Sequence, residues 1–331
     1  MPPSSTPTRR FPSGFRQVAW SVATGVAVLG VGTAATLGVA AATTHPHTSV
    51  PPVPPAPAAP VVPPVSDRFL QADVYHAEAV ARRQGARVAI AVLDRDTGQR
   101  VESRNAHAPF FTASLVKVMI AEDVLTQRDQ GKVHLSSSDM HMMHLMITRS
   151  DDFAADSFWD LGGGNAIVTR AAARYGLHDT HPPRGPWWFT TTSADDMVSL
   201  YDQIVTRRST DPAVANWIVS AMRDFQPTGD DGENQTFGLP TALSREPVVG
   251  YKQGWMPLLD GNWIHDSTAI VGKSARYIVA IMASQPAPNG EDPTVSSIDD
   301  VAKALFPRGR IGAAAPVRAP ATAPVRAPAH G

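Results

Sequence analysis

The 331-residue sequence contains no cysteine. That absence excludes a thiol nucleophile, a cysteine-ligated zinc site and lipidation at a cysteine. It does not handicap folding, because a globular block of about 240 residues buries roughly three quarters of its unfolded surface without help from disulfides. Net charge is lacking as well: the formal value is −1 and no basic stripe crosses the central part, so the electrostatic footprint of a nucleic-acid binder is missing. Acidic residues are absent before Asp67, and residues 18–42 carry no charge of either sign.

That uncharged run would measure about 37 Å as a helix, enough to cross a bilayer. Arg9, Arg10 and Arg16 precede it, so the positive-inside rule keeps residues 1–17 cytoplasmic and sends the rest outward. Ala40, Ala41 and Ala42 offer a signal-peptidase site, but the apolar stretch is long for a cleaved signal, and an uncleaved anchor is the expectation. Nine prolines between Pro46 and Pro64 favour extended polyproline II, so residues 43–66 read as a semi-rigid linker. A globular domain follows at 67–307. Residues 308–331 repeat Pro-Val-Arg-Ala-Pro-Ala, have little to bury and read as a disordered tail. The expected location is the cell membrane with the domain outside, or secretion if the signal is cleaved.

Within the domain the hydrophobic pattern predicts a helix at 69–83, a strand at 87–93, a turn at Asp96-Thr97-Gly98 and a second strand at 99–103. Signals from Ser114 to about Thr206 are helical, including helices that end before Gly131, cover 141–147, and run over 165–175. Strand-like runs return at 248–252, 262–271 and 277–283, and an amphipathic helix closes the block at 297–306. This order predicts an antiparallel sheet with helices packed on it, beside a helical subdomain.

The chemistry centres on Ser114-Leu115-Val116-Lys117. Residues three apart on a helix share a face, so a hydroxyl and an amine would meet there, close to the free N–H groups of a helix start. Such a pairing activates a serine. The apolar neighbours Leu115, Val116, Val118, Met119 and Ile120 argue against a solvated Lys117. Two further elements follow in order, Ser150-Asp151-Asp152 and Lys252-Gln253-Gly254.

With these three motifs the chain resembles the class A β-lactamases and their penicillin-binding relatives, whose signatures are S-x-x-K, S-D-N and K-T-G. The similarity extends through Phe110 to Lys117, Met146 to Asp156, and Leu161-Gly162-Gly163 with the helix that leads to Tyr175-Gly176-Leu177, and covers about residues 69–306. The resemblance implies an α+β fold, an α/β/α sandwich. Its five-stranded antiparallel sheet is flanked by helices, with a helical subdomain inserted between strands 2 and 3. It implies that Ser114 attacks a carbonyl, Lys117 activates it, Ser150 relays a proton to the leaving nitrogen and Lys252 attracts the substrate carboxylate. Backbone N–H groups of Ser114 and Trp255 would form the oxyanion hole, and Asp152, Gln253 and Gly254 would line the substrate. No cofactor and no metal are implied. The expected partner is a small-molecule or peptidoglycan-type substrate, bound by a monomer.

The departures from the family pattern carry their own expectations. Gln253 replaces a hydroxyl residue, so an amide would receive the carboxylate. Asp152 replaces an asparagine and is expected close to Lys117, where its charge would keep the amine protonated. The stretch between the Ser114 helix and Ser150 is short, which implies a trimmed helical subdomain. Residues 178–192, where class A enzymes carry a glutamate that activates the deacylating water, contain no glutamate but have Trp187 and Trp188. A long-lived acyl-enzyme is therefore expected. The alternatives are a β-lactamase with another water-activating group, and a non-catalytic envelope binding module on the same fold. His141 and His144 lie three apart, but with Met142, Met143 and Met146 beside them they read as packing residues. Gly162-Gly163-Gly164 lacks the Lys-Ser/Thr of a phosphate loop and reads as a helix connection.

Overall fold

A computed structural model describes residues 65–208, 210–258, 261–286 and 294–311. Among these residues no helix is long and apolar enough to cross a membrane. The expected span at 18–42, the proline-rich segment up to residue 64 and the tail from 312 lie outside them.

The strands are β1 (Arg87–Asp94), β2 (Gln99–Glu102), β3 (Phe110–Phe111), β4 (Thr191–Thr192), β5 (Val249–Pro257), β6 (Asn262–Val271) and β7 (Tyr277–Pro286). The helices are α1 (Val65–Arg83), α2 (Val116–Asp129), α3 (Ser137–Thr148), α4 (Asp152–Gly162), α5 (Asn165–Tyr175), α6 (Ala194–Thr206), α7 (Pro212–Arg223), α8 (Leu239–Ala242) and α9 (Thr294–Leu305). Five strands form one antiparallel sheet in the order β2-β1-β7-β6-β5. The helices α2 to α7 are inserted between β2 and β5, as expected.

The central strands are buried on both faces; β1 and β7 accordingly read as continuous apolar runs and not as alternating ones, whereas β6 holds a buried polar stretch from His265 to Thr268. Along β1, Ile90 and Val92 join a core with Val74 and Ala77 of α1 and Val301 and Leu305 of α9. Ala89, Ala91 and Leu93 point the other way, into a larger core built on α2 to α7. The result is three layers with the sheet in the middle.

Three differences from the expected elements matter for the site. Ser114 does not start the α-helix: it lies in a 3-10 turn at Ala113–Leu115, and α2 begins at Val116. The helix expected at 141–147 extends over Ser137–Thr148 and a second one opens at Asp152, with Ser150 between them at φ 55°. The strand expected at 248–252 continues to Pro257, which carries the entire third motif into the sheet as β5, an edge strand.

Candidate active site

The turn that carries Ser114 begins at Ala113, whose φ of 41° is a conformation L-residues seldom adopt. Ser150 shares that property. Two non-glycine residues held there indicate a local geometry imposed by their surroundings, and such strain clusters at functional sites. Gly254 explains how the turn meets the sheet: a Cβ there would lie 2.7 Å from Thr112 O and 3.3 Å from Ser114 N. Only glycine lets β5 approach the nucleophile's backbone this closely.

Alternation along β5 then decides which side chains face the site. Lys252, Gly254 and Met256 lie on the side of the turn, and Met256 packs with Ala113. Tyr251 and Trp255 pack on the opposite core, Trp255 edge-to-face with Phe237 at 6.1 Å. Gln253 falls on that far side as well. Its Nε2 donates to Phe237 O at 2.6 Å and Gln235 O at 3.2 Å, and its Oε1 accepts from Ser267 Oγ at 2.9 Å. The expectation that its amide receives a substrate carboxylate is therefore corrected: the side chain is fully buried and its hydrogen-bonding capacity is used inside the protein. Gly254 serves close packing, and Trp255 can contribute only its backbone to the site.

Lys117 and Lys252 are 0% and 1% exposed, whereas Ser114 keeps 8%. The Lys117 ammonium donates to Ser150 O at 2.5 Å and to Asp152 Oδ1 at 2.6 Å, and lies 4.9 Å from the ring centre of Trp187. Among the described residues no hydrogen bond joins it to Ser114 Oγ. Asp152 thus stands beside Lys117 as expected, but the electrostatic balance differs. Burial pushes the amine below its ordinary value, and Asp152 opposes this without cancelling it. The reason is exposure: the Asp152 side chain is 72% accessible, so solvent screens its pull.

Lys252 donates to Ser150 Oγ in a very short contact and to Gln253 O at 3.1 Å. Burial, and then the nearby charge of Lys117, push it well below the ordinary lysine value. The second motif divides its labour by position. Ser150 bridges the two helices, Asp151 caps α4 by accepting from Ala154 N at 3.0 Å, and Asp152 reaches Lys117. One turn along α4, Asp156 accepts from Trp187 Nε1 at 2.7 Å. This bond and the pairing of β3 with β4 hold the loop 178–192 against Lys117, presenting an indole to it and no carboxylate.

Two residues escaped the sequence reading. Gln235, 85 residues from Ser150, accepts the Ser150 hydroxyl at 2.9 Å. No local pattern marks it, because only the tertiary fold brings it there. Asp266 lies opposite Gly254 in the sheet, fully buried, with Oδ1 accepting from Ala283 N at 3.3 Å and Oδ2 without a hydrogen bond. Nothing in the local sequence, His265-Asp266-Ser267-Thr268, marks this acid as buried. Elsewhere, His144 faces Asp224 at 3.2 Å. Glu102, His107 and Asp195 bring ligand-type atoms within 4.8 Å of one another, in a cluster where Asp195 is also bonded by Arg100. A cavity of about 340 Å³ lined by Arg207, Arg223 and Lys273 lies between α6, α7 and the β6–β7 turn and includes none of the three motifs.

Residues 74–139 and 136–308 match the sequence profile of the beta-lactamase enzyme family. "Putative lipoprotein LppW" of Mycobacterium tuberculosis and that of Mycobacterium bovis are each 42% identical over 245 residues, covering 73% of this chain and 76% of theirs. Among solved structures, PBP-A superposes with a TM-score of 0.59 at 20% identity over 72% of this chain and 95% of its own. A beta-lactamase from Xanthomonas campestris gives 0.58 at 21% identity over 73% and 98%. At such identities the structural likeness speaks for the fold, and it agrees with the three-layer architecture. By its profile match over most of its length, the chain belongs to the beta-lactamase enzyme family.

Proposed function

We propose that the protein is a serine acyl enzyme of the cell envelope. It acylates on Ser114 with β-lactam or peptidoglycan-type amides and releases the acyl group slowly. The observation that carries this reading is the convergence of Lys117, Ser150 and Lys252 in one buried hydrogen-bonded cluster, with Ser114 one turn before Lys117 and 8% exposed. Ser114 Oγ attacks the carbonyl carbon and its proton passes to Lys117, whose affinity for protons is lowered by burial. The N–H groups of Ser114 and Trp255 receive the oxyanion, an arrangement consistent with the close approach of Gly254. As the C–N bond breaks, Ser150 gives its proton to the nitrogen and is refilled by Lys252. Positive charge on Lys117 already disfavours charge on Lys252, so the proton that Lys117 gains promotes the one that Lys252 releases. Lys252 also attracts a substrate carboxylate, without help from Gln253.

Slow release follows from Trp187, which occupies the loop position facing Lys117 where a carboxylate base is missing. A variant of PBP-A is known as its penicillin G acyl-enzyme, which supports the acylation half of the reading. Envelope placement rests on the uncharged run at 18–42 and on relatives named as lipoproteins; with no cysteine, this chain would use the span and not a lipid. The domain from 67 to 307 then acts as a monomer beyond the linker.

Incubating the purified protein with a fluorescent penicillin and measuring its intact mass tests the proposal, with a covalent adduct expected. A second reading, a non-catalytic module that binds envelope fragments in the same cleft, is favoured by the missing Ser114–Lys117 hydrogen bond. It predicts no adduct with any acylating probe.

A further inference from the structure

The orientation of the Ser150 proton is fixed by chemistry that can be read from the hydrogen-bond partners. Gln235 is buried, and its Nε2 lies 3.1 Å from Thr148 O and 2.8 Å from Gln226 O. Backbone carbonyls only accept, so the amide nitrogen must face them and Oε1 must face Ser150 Oγ, 2.9 Å away. Oε1 carries no proton. The Ser150 hydroxyl is therefore the donor in that bond, and its lone pairs are left for Lys252 Nζ. Gln253 braces this arrangement: its Nε2 holds the backbone oxygen of Gln235 itself, which gives the unusual third motif a role behind the site.

We propose that Gln235 is a positioning residue that competes with the leaving nitrogen for the single proton of Ser150, and so sets the rate of C–N cleavage. The inference rests on the Ser114 acyl-enzyme reading. During acylation the bond from Ser114 Oγ to the carbonyl carbon forms, the C–N bond breaks and the Ser114 proton goes to Lys117. The Ser150 proton must swing from Gln235 Oε1 to the departing nitrogen, while a proton from the Lys252 ammonium restores the hydroxyl. No proton is gained or lost in the sum. For an instant Gln235 Oε1 is buried without a donor, which opposes the swing. An aryl ester makes no such demand, because its phenolate leaves without being protonated.

That distinction supplies the test. Acylation of the full chain is measured with a fluorescent penicillin and with p-nitrophenyl acetate, for wild type, Gln235→Met and Gln235→Glu. Methionine removes the acceptor at similar size. Penicillin acylation should rise about tenfold, the factor carried by one ordinary hydrogen bond, while ester acylation stays unchanged. Glutamate keeps an oxygen toward Ser150 and, while protonated, a donor toward Thr148 and Gln226. Its penicillin-to-ester ratio should match wild type at low pH and fall as the carboxyl ionises and holds the Ser150 proton harder. Equal changes with both substrates, or a pH-independent ratio in Gln235→Glu, would overturn the proposal by reducing Gln235 to a structural role. Slower penicillin acylation in a folded Gln235→Met protein would overturn it too. The glutamate variant keeps the test open if the methionine variant does not fold. Absence of Ser114 labelling by either substrate in wild type would instead defeat the acyl-enzyme reading, and this inference with it.

Discussion

The helix α2 carries two buried charge clusters, and they are built to opposite rules. Toward its far end, Glu122 and Asp123 are fully buried against α5. Arg170 grips Asp123 through two bonds at 2.9 and 2.6 Å, and Arg174 reaches Glu122 at 2.5 Å. Thr126 donates to the other oxygen of Glu122, and Gln127 adds a second donor to Asp123 Oδ2. At the near end the buried charges are amines. Lys117 has one carboxylate, itself exposed, and the bonded partners of Lys252 are a hydroxyl and a carbonyl. Where buried charge is matched by guanidinium forks it fastens two helices. Where it is under-matched, it leaves protons that can be moved, and the strained Ala113 and Ser150 lie at that end.

The sharpest way to break this contrast is to remove a charge from the fastened cluster. Asp123→Ala leaves Arg170 and Arg174 without their shared partner and should cost about 3 kcal/mol. That is the low end for a broken buried pair, because Arg170 keeps 37% exposure. Urea denaturation would measure it. The rate of Ser114 labelling in the folded fraction should not change; a large change would mean that the two ends of α2 are not separate.

A smaller effect is expected from the moving cluster. Asp152 raises the proton affinity of Lys117 against burial, so Asp152→Asn should deepen the depression and increase the neutral amine. A neighbouring carboxylate is worth roughly 1 to 3 pKa units before screening, so acylation at pH 7 should rise about tenfold and its pH profile shift downward. A lower rate in the folded variant would make the carboxylate itself part of the chemistry.

The smallest effect concerns Asp266, a buried acid with no ion pair among the described residues. Burial holds its carboxyl well above the ordinary range. The folded protein keeps this proton while the unfolded chain loses it above about pH 4, so its contribution to stability is full below that and is lost as pH rises toward the folded value. Asp266→Asn should flatten the dependence. Denaturation midpoints at pH 5 and pH 8 would check it, and an unaltered pH dependence would show that Asp266 is not held neutral.

The sequence exposed the two ends of α2 unequally. Ser114 and Lys117 were legible because three-residue spacing within an apolar helix makes a solvated lysine improbable, and the sheet was legible because β1 and β7 are long apolar runs. The 3-10 turn under Ser114 and the break at Ser150 were not, since each depends on a left-handed residue other than glycine. Gln253 was misread for a related reason. With the strand ended at 252, nothing revealed that alternation turns the next side chain away from the site. Gln235 and the Arg170–Asp123 fork required the tertiary structure, because partners 85 and 47 residues apart leave no local pattern.

The central claim, that the under-matched end of α2 serves a covalent step at Ser114, is tested most directly by intact mass after brief exposure to penicillin and removal of the excess. The account predicts one adduct per chain, located on the peptide containing Ser114, absent in Ser114→Ala, and still present hours later because the loop at 178–192 presents Trp187 to Lys117, while its one carboxylate, Asp179, faces His107. An adduct that survives Ser114→Ala, or one that vanishes within seconds as a chromogenic cephalosporin is consumed, would contradict it.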